Sequence, residues 1–152
     1  MALSACMTRA VAGQAGPMAH PVPAQTVLDT TDVRALAEFY RELLGWDYRP
    51  GDEVPPEGPD DTDWLVLRPP AGGHGLAFQE VDQLEPTTWP ENDVPMQLHL
   101  DMTVTDAESL ESVRRLAESL GATLTLDRSE DPGEPLYVFR DLAGHPFCVF
   151  VG

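Results

Sequence analysis

Apolar positions recur along the chain in two kinds of rhythm, and the pair of rhythms occurs twice. Val33, Leu36, Phe39, Tyr40, Leu43 and Leu44 return at helical spacing, between an Asp at 32 and a Gly at 45. Asp32 is placed to cap the helix and Gly45 to end it in a left-handed turn. The second stripe is Leu110, Val113, Leu116, Ala117 and Leu120, between Asp106 and Gly121. Each helix follows an extended run: Gln25 to Thr31, and Met96 to Val104. The latter alternates most cleanly, with Met96, Leu98, Leu100, Met102 and Val104 on one face and Gln97, His99, Asp101 and Thr103 on the other. Short strand-like runs follow each helix, at 46–49, 63–68 and 75–81, and then at 122–126, 136–140 and 146–151. The predicted architecture is therefore a βαβββ unit present twice.

The duplication divides the chain into a first module, 25–81, a Pro-containing linker, 82–95, and a second module, 96–152. Residues 1–24 are rich in Ala, Gly and Pro and have no period. They are expected to form a disordered leader rather than a signal peptide, having a single basic residue, Arg9, and no compact apolar segment. Residues 50–61 and 127–134 read as acidic loops.

Composition then narrows the function. Against 26 acidic residues stand 9 basic ones, a formal net charge of -17. That balance argues against nucleic acid and anionic membrane surfaces, and no apolar run is long enough to span a bilayer. Small anions would be repelled unless a local basic group compensates. With only Cys6 and Cys148, no disulfide framework is implied, and a cytoplasmic location is expected.

Three segments carry a family resemblance: Phe39 to Gly45 after Asp32, Leu98 to Met102 before Asp106, and Phe139 to Phe147 leading into a final strand. Together they resemble the vicinal oxygen chelate superfamily, which includes glyoxalase I, extradiol dioxygenases and bleomycin- and fosfomycin-resistance proteins. The chain is most similar to small glyoxalase-like proteins of actinobacterial type, over about residues 25–151. The resemblance implies an α+β fold of two βαβββ modules, with curved mixed sheets around a cavity. It also implies dimerisation, with each cavity built within one chain or shared between two copies in a homodimer.

In metallated relatives, two first-strand and two last-strand residues hold a divalent ion such as Zn, Mn, Fe or Ni. The resemblance carries those positions onto Gln25, Ala77 or Gln79, His99 and Cys148. No carboxylate stands at either Glu position of the family pattern, and His99 is the one strong ligand of the usual kind. A catalytic metal is therefore not expected, although Asp29 and Asp101, on the same faces as Gln25 and His99, would restore a carboxylate if the register slipped.

His99 has two readings, as a ligand or general base in the cavity and as a relic hydrogen-bonded to Asp101. Cys148 reads as ligand or nucleophile, or as a small buried hydrophobe in an apolar strand. Trp64 and Trp89 are candidates to stack on a flat ligand, with Asp29, Gln25, Gln79 and Asp101 as polar contacts; Trp64 also fits a core role. Phe39 and Tyr40 read as packing, and His74 and His145 as turn residues. Two functions follow as expectations. One is a metal-independent binding protein that sequesters a small organic molecule, and the acidic loops would suit a cationic aromatic compound. The other is a lyase, isomerase or dioxygenase that uses His99 as metal ligand or base.

Overall fold

The computed structural model describes residues 21–152. The expected leader therefore lies outside the described residues up to residue 20, and residues 21–24 are exposed without regular structure. The elements are β1 (Gln25–Thr30), α1 (Val33–Leu44), β2 (Asp47–Tyr48), β3 (Trp64–Arg68) and β4 (Gly75–Glu80), then β5 (Leu100–Val104), α2 (Ala107–Ser119), β6 (Thr123–Asp127), β7 (Leu136–Arg140) and β8 (Pro146–Val151). Two βαβββ modules are present, as the repeated pattern predicts.

Both helices start and stop for the reasons visible in the sequence. The Asp32 carboxylate accepts from the Ala35 N–H at 2.9 Å, and Gly45 turns left-handed at φ 62°. Asp106 does the same for Ser109 at 2.7 Å. Each module folds its strands into one four-stranded mixed sheet, in the orders β1-β4-β3-β2 and β5-β8-β7-β6. In each, the helix carries the chain from the first strand to the far edge, and two antiparallel pairings bring it back so that the last strand lies parallel to the first. The two sheets are not joined into a closed barrel.

One strand is shorter than its alternation suggests. The pattern from Met96 to Val104 predicts nine strand residues, whereas β5 begins at Leu100. Leu100 pairs with Phe147, so the next ladder position meets Pro146, which has no N–H to donate. The ladder stops there, and residues 96–99 run on as irregular chain.

The helix-facing sides of both sheets share one core. Phe39 and Tyr40 of α1 meet edge to face at 5.0 Å, Tyr40 stacks on Phe78 of β4 at 5.8 Å, and Phe39 reaches Phe147 of β8 at 5.9 Å. Phe147 in turn stacks on Phe139 at 5.1 Å. Such aromatic contacts add specificity to area burial. Because α1 is committed to this shared core, the opposite face of each sheet is turned away from both helices. Those two faces carry Gln25, Asp29, Trp64, Gln79, Asp101 and Cys148, residues singled out in the sequence.

Candidate functional site

On the first sheet, strand alternation puts Gln25, Val27 and Asp29 on the face away from the helices. The register aligns Val27 with Ala77, and Ala77 with Val66. Ala77 and Val66 are fully buried while Val27 is 37% exposed, so the middle row is an apolar floor covered over Ala77 and Val66 and open only at Val27. One step along, Asp29 pairs with Gln79, and Gln79 with Trp64. Three sequence-predicted ligand residues therefore form one row across three strands. Asp29 and Gln79 are exposed and Trp64 is half-buried.

On the other side of the floor lies a group the sequence reading missed. The Arg68 guanidinium lies over Gly75, where a Cβ would stand 2.7 Å from its Nη1. It donates through Nη2 to Gln25 Oε1 at 3.1 Å and through Nη1 to the Ala24 carbonyl at 3.2 Å. The side-chain oxygen of Gln25, a position the family resemblance gives to a metal, is thus turned to a cation already fixed in the protein.

The second sheet exposes Asp101 and Thr103, paired with Cys148 and Phe150, and His99 is exposed in the irregular chain just before it. His99 Nε2 stands 3.4 Å from Asp101 Oδ1, and the two side chains are 46% and 58% exposed. Asp101 pairs with Cys148 in the ladder. Burial first, and then the negative charges of Asp101 and Glu134, push the Cys148 thiol up to about 11, so it stays protonated at neutral pH. Trp89 does not stand with Trp64: its backbone carbonyl accepts from Arg140 Nη2 at 2.7 Å, at the end of β7.

A cleft of about 190 Å³ opens at the seam between the modules. Val27 and Asp29 line it from β1, Met96 and Leu98 from the irregular stretch before β5, and Pro86 and Pro146 from the linker and β8. Its size is below the several hundred Å³ usual for ligand pockets. His145, read from sequence as a turn residue, closes one end: its Nε2 lies 2.7 Å from the Asp29 carbonyl oxygen.

The metal that the fold family implies needs converging donors. Here Gln25 faces a guanidinium, which repels a cation, and Cys148 holds its proton. Among the described residues, no three His, Cys, Asp or Glu side chains come together. As arranged in one chain, the donors do not make a metal site of that kind. No helix among the described residues is long and apolar enough to cross a membrane.

Comparison with known proteins agrees with this architecture. A hypothetical protein from S. aureus, SA1046, superposes with a TM-score of 0.60 at 17% identity, over 90% of this chain and 100% of its own. A glyoxalase/bleomycin resistance protein/dioxygenase family enzyme from Burkholderia phytofirmans PsJN gives 0.60 at 16% identity, over 84% of this chain and 96% of its own. A mutant of the genomically encoded fosfomycin resistance protein from Listeria monocytogenes, complexed with Mn(II) and 1S,2S-dihydroxypropylphosphonic acid, gives 0.62 at 15% identity, over 89% of this chain and 92% of its own. At these identities the likeness shows the fold alone. No curated protein matches the chain. The glyoxalase-like domain family matches residues 25–150, nearly all of the described chain. This chain therefore belongs to the glyoxalase-like domain family.

Proposed function

We propose that this protein binds a small organic molecule against the helix-free face of its first sheet, and acts by sequestering it without a catalytic metal. The observation that carries the reading is the aligned row Asp29–Gln79–Trp64 beside the apolar floor of Val27, Ala77 and Val66. An aromatic ring and two polar groups on one face, with the apolar row open at Val27, suit a flat, partly polar ligand. In a homodimer, which the family resemblance implies, a second copy would close the site beside the exposed Val27. Quenching of tryptophan fluorescence by a library of aromatic compounds tests the reading, with Trp64→Phe to assign the signal. Saturable quenching that depends on Trp64 supports it, and a library without a binder removes it.

A second reading rests on the 3.4 Å approach of His99 to Asp101. Asp101 would orient the imidazole as a general base for a proton next to a carbonyl, making the protein a lyase or isomerase. His99→Ala and Asp101→Asn would then abolish turnover while leaving ligand affinity within a few fold.

A further inference from the structure

The chain contains no lysine, so all nine of its cationic Lys/Arg side chains are arginines. Eight of them lie among the described residues. Six are paired with carboxylates: Arg34, Arg41, Arg49, Arg114, Arg115 and Arg128. Only Arg68 and Arg140 have no carboxylate within salt-bridge distance among the described residues, in a chain with 26 acidic residues. These two occupy the same place in the repeat. Arg68 ends the strand Trp64–Arg68, and Arg140 ends the strand Leu136–Arg140. Both alternate with core residues, Leu67 and Phe139, so both lie on the faces turned from the helices.

Neutral acceptors hold both. Arg68 is tethered by a backbone carbonyl and an amide oxygen, and Arg140 by the Trp89 carbonyl. Such partners orient a guanidinium without cancelling its charge. Arg140 is covered by the linker, and its Nε is buried with no partner. Arg68 is half-buried, and its bond to the Ala24 carbonyl lies in exposed surroundings. Two of its five N–H groups are engaged, which leaves three for a planar oxyanion. In a molecule of net charge -17, an uncompensated cation on a candidate binding face is the local basic group that an anion needs.

We propose that Arg68 is an oxyanion subsite, and that the molecule taken by this protein carries a carboxylate or phosphate group at one end of an apolar or aromatic body. Four residues of strand separate Arg68 from Trp64, about 13 Å at the usual strand rise. The ligand therefore sets its anion on Arg68 and directs its apolar body along this face toward Trp64. This inference rests on the small-molecule reading above and fixes the charge of the ligand opposite to the one the acidic loops suggest.

The test is a charge series on one hydrocarbon, titrated calorimetrically into the full chain: 4-phenylbutyrate, 4-phenylbutyl phosphate, 4-phenylbutylamine and 4-phenylbutanol. The carboxylate or the phosphate is expected to bind at least tenfold tighter than the alcohol, and Arg68→Gln to erase that advantage while the alcohol binds as before. Arg68→Lys, which keeps the charge and loses the fork, separates the sources: it retains a phosphate preference and loses a carboxylate one. Equal binding of alcohol and anions, tightest binding of the amine, or an anion preference that survives Arg68→Gln overturns the oxyanion subsite and leaves small-molecule binding standing. Failure of all four probes to bind counts against both.

Discussion

The Tyr40 hydroxyl of α1 donates to Asp141 Oδ2 at 2.8 Å, joining the first module's helix to the turn between β7 and β8 of the second. Both side chains are buried. The other carboxylate oxygen, Oδ1, accepts from the N–H groups of Ala143 and His145, each at 2.9 Å. One buried acid thus fixes the turn that carries His145 to the seam and ties it to the opposite module. Tyr40→Phe removes one donor and leaves the acceptor buried, so a loss of about 1–3 kcal/mol is expected. Urea unfolding of the two proteins measures it; equal midpoints and slopes would show that the link contributes nothing.

Gly144 makes a second junction. It sits at φ 92°, and a Cβ there would meet Pro86 Cβ at 2.5 Å. Gly144→Ala therefore combines backbone strain with displacement of the linker, and about 2 kcal/mol or more of stability should be lost. Gly72→Ala, also at positive φ but with open space around it, is the control for strain alone. A penalty no larger at 144 than at 72 would mean the linker does not press on this turn.

Glu111 should contribute to acid sensitivity, beside Asp106, Asp127 and Asp131, whose carboxyls are also held low by hydrogen bonds. The hydrogen bonds of Glu111 with Arg114, and then Tyr137, hold its carboxyl at about 2 instead of the ordinary 4.5. A depressed folded value stabilises above the unfolded value and is lost as pH falls through the folded one. Stability should fall between about pH 4.5 and 2, and Glu111→Gln should flatten that limb. Asp141 acts in the opposite sense, since burial raises it, so its contribution diminishes as pH rises. Unfolding midpoints of wild type and Glu111→Gln across that range decide it; parallel curves would refute the assignment.

Cys148 should be slow to alkylate. With its thiol at about 11, the rate with iodoacetamide in a Cys6→Ser background should keep climbing from pH 7 to 10 without levelling. A plateau near pH 8 would identify a reactive thiolate and revive Cys148 as a nucleophile.

The fold was legible because its signals are local. Asp32 and Gly45 mark the limits of one helix, Asp106 the start of its repeat, and the apolar stripes they introduce have one period. The excess length assigned to the strand before α2 has an equally plain cause: Met96 to His99 alternate correctly, but alternation cannot show that the partner beside them begins with Pro146. The site was legible in part. Asp29, Gln79 and Trp64 share a row because strand parity is a sequence property, and the register follows from the crossover. Arg68 and Arg140 were not seen, although the endings Leu67-Arg68 and Phe139-Arg140 repeat. What distinguishes them is the lack of a carboxylate partner, and that depends on where 26 acids lie in space. His145 escaped for the same reason, since its contact with Asp29 spans the module seam.

Whether the outward face binds a small molecule without a metal is decided by one comparison. Tryptophan quenching by 4-phenylbutyrate is titrated with protein dialysed against EDTA, and again after saturation with Mn(II) and with Zn(II). One dissociation constant is expected in all three states, and the same constant in His99→Ala. Binding that vanishes after chelation, returns with the metal, and is lost in His99→Ala would contradict metal-free binding.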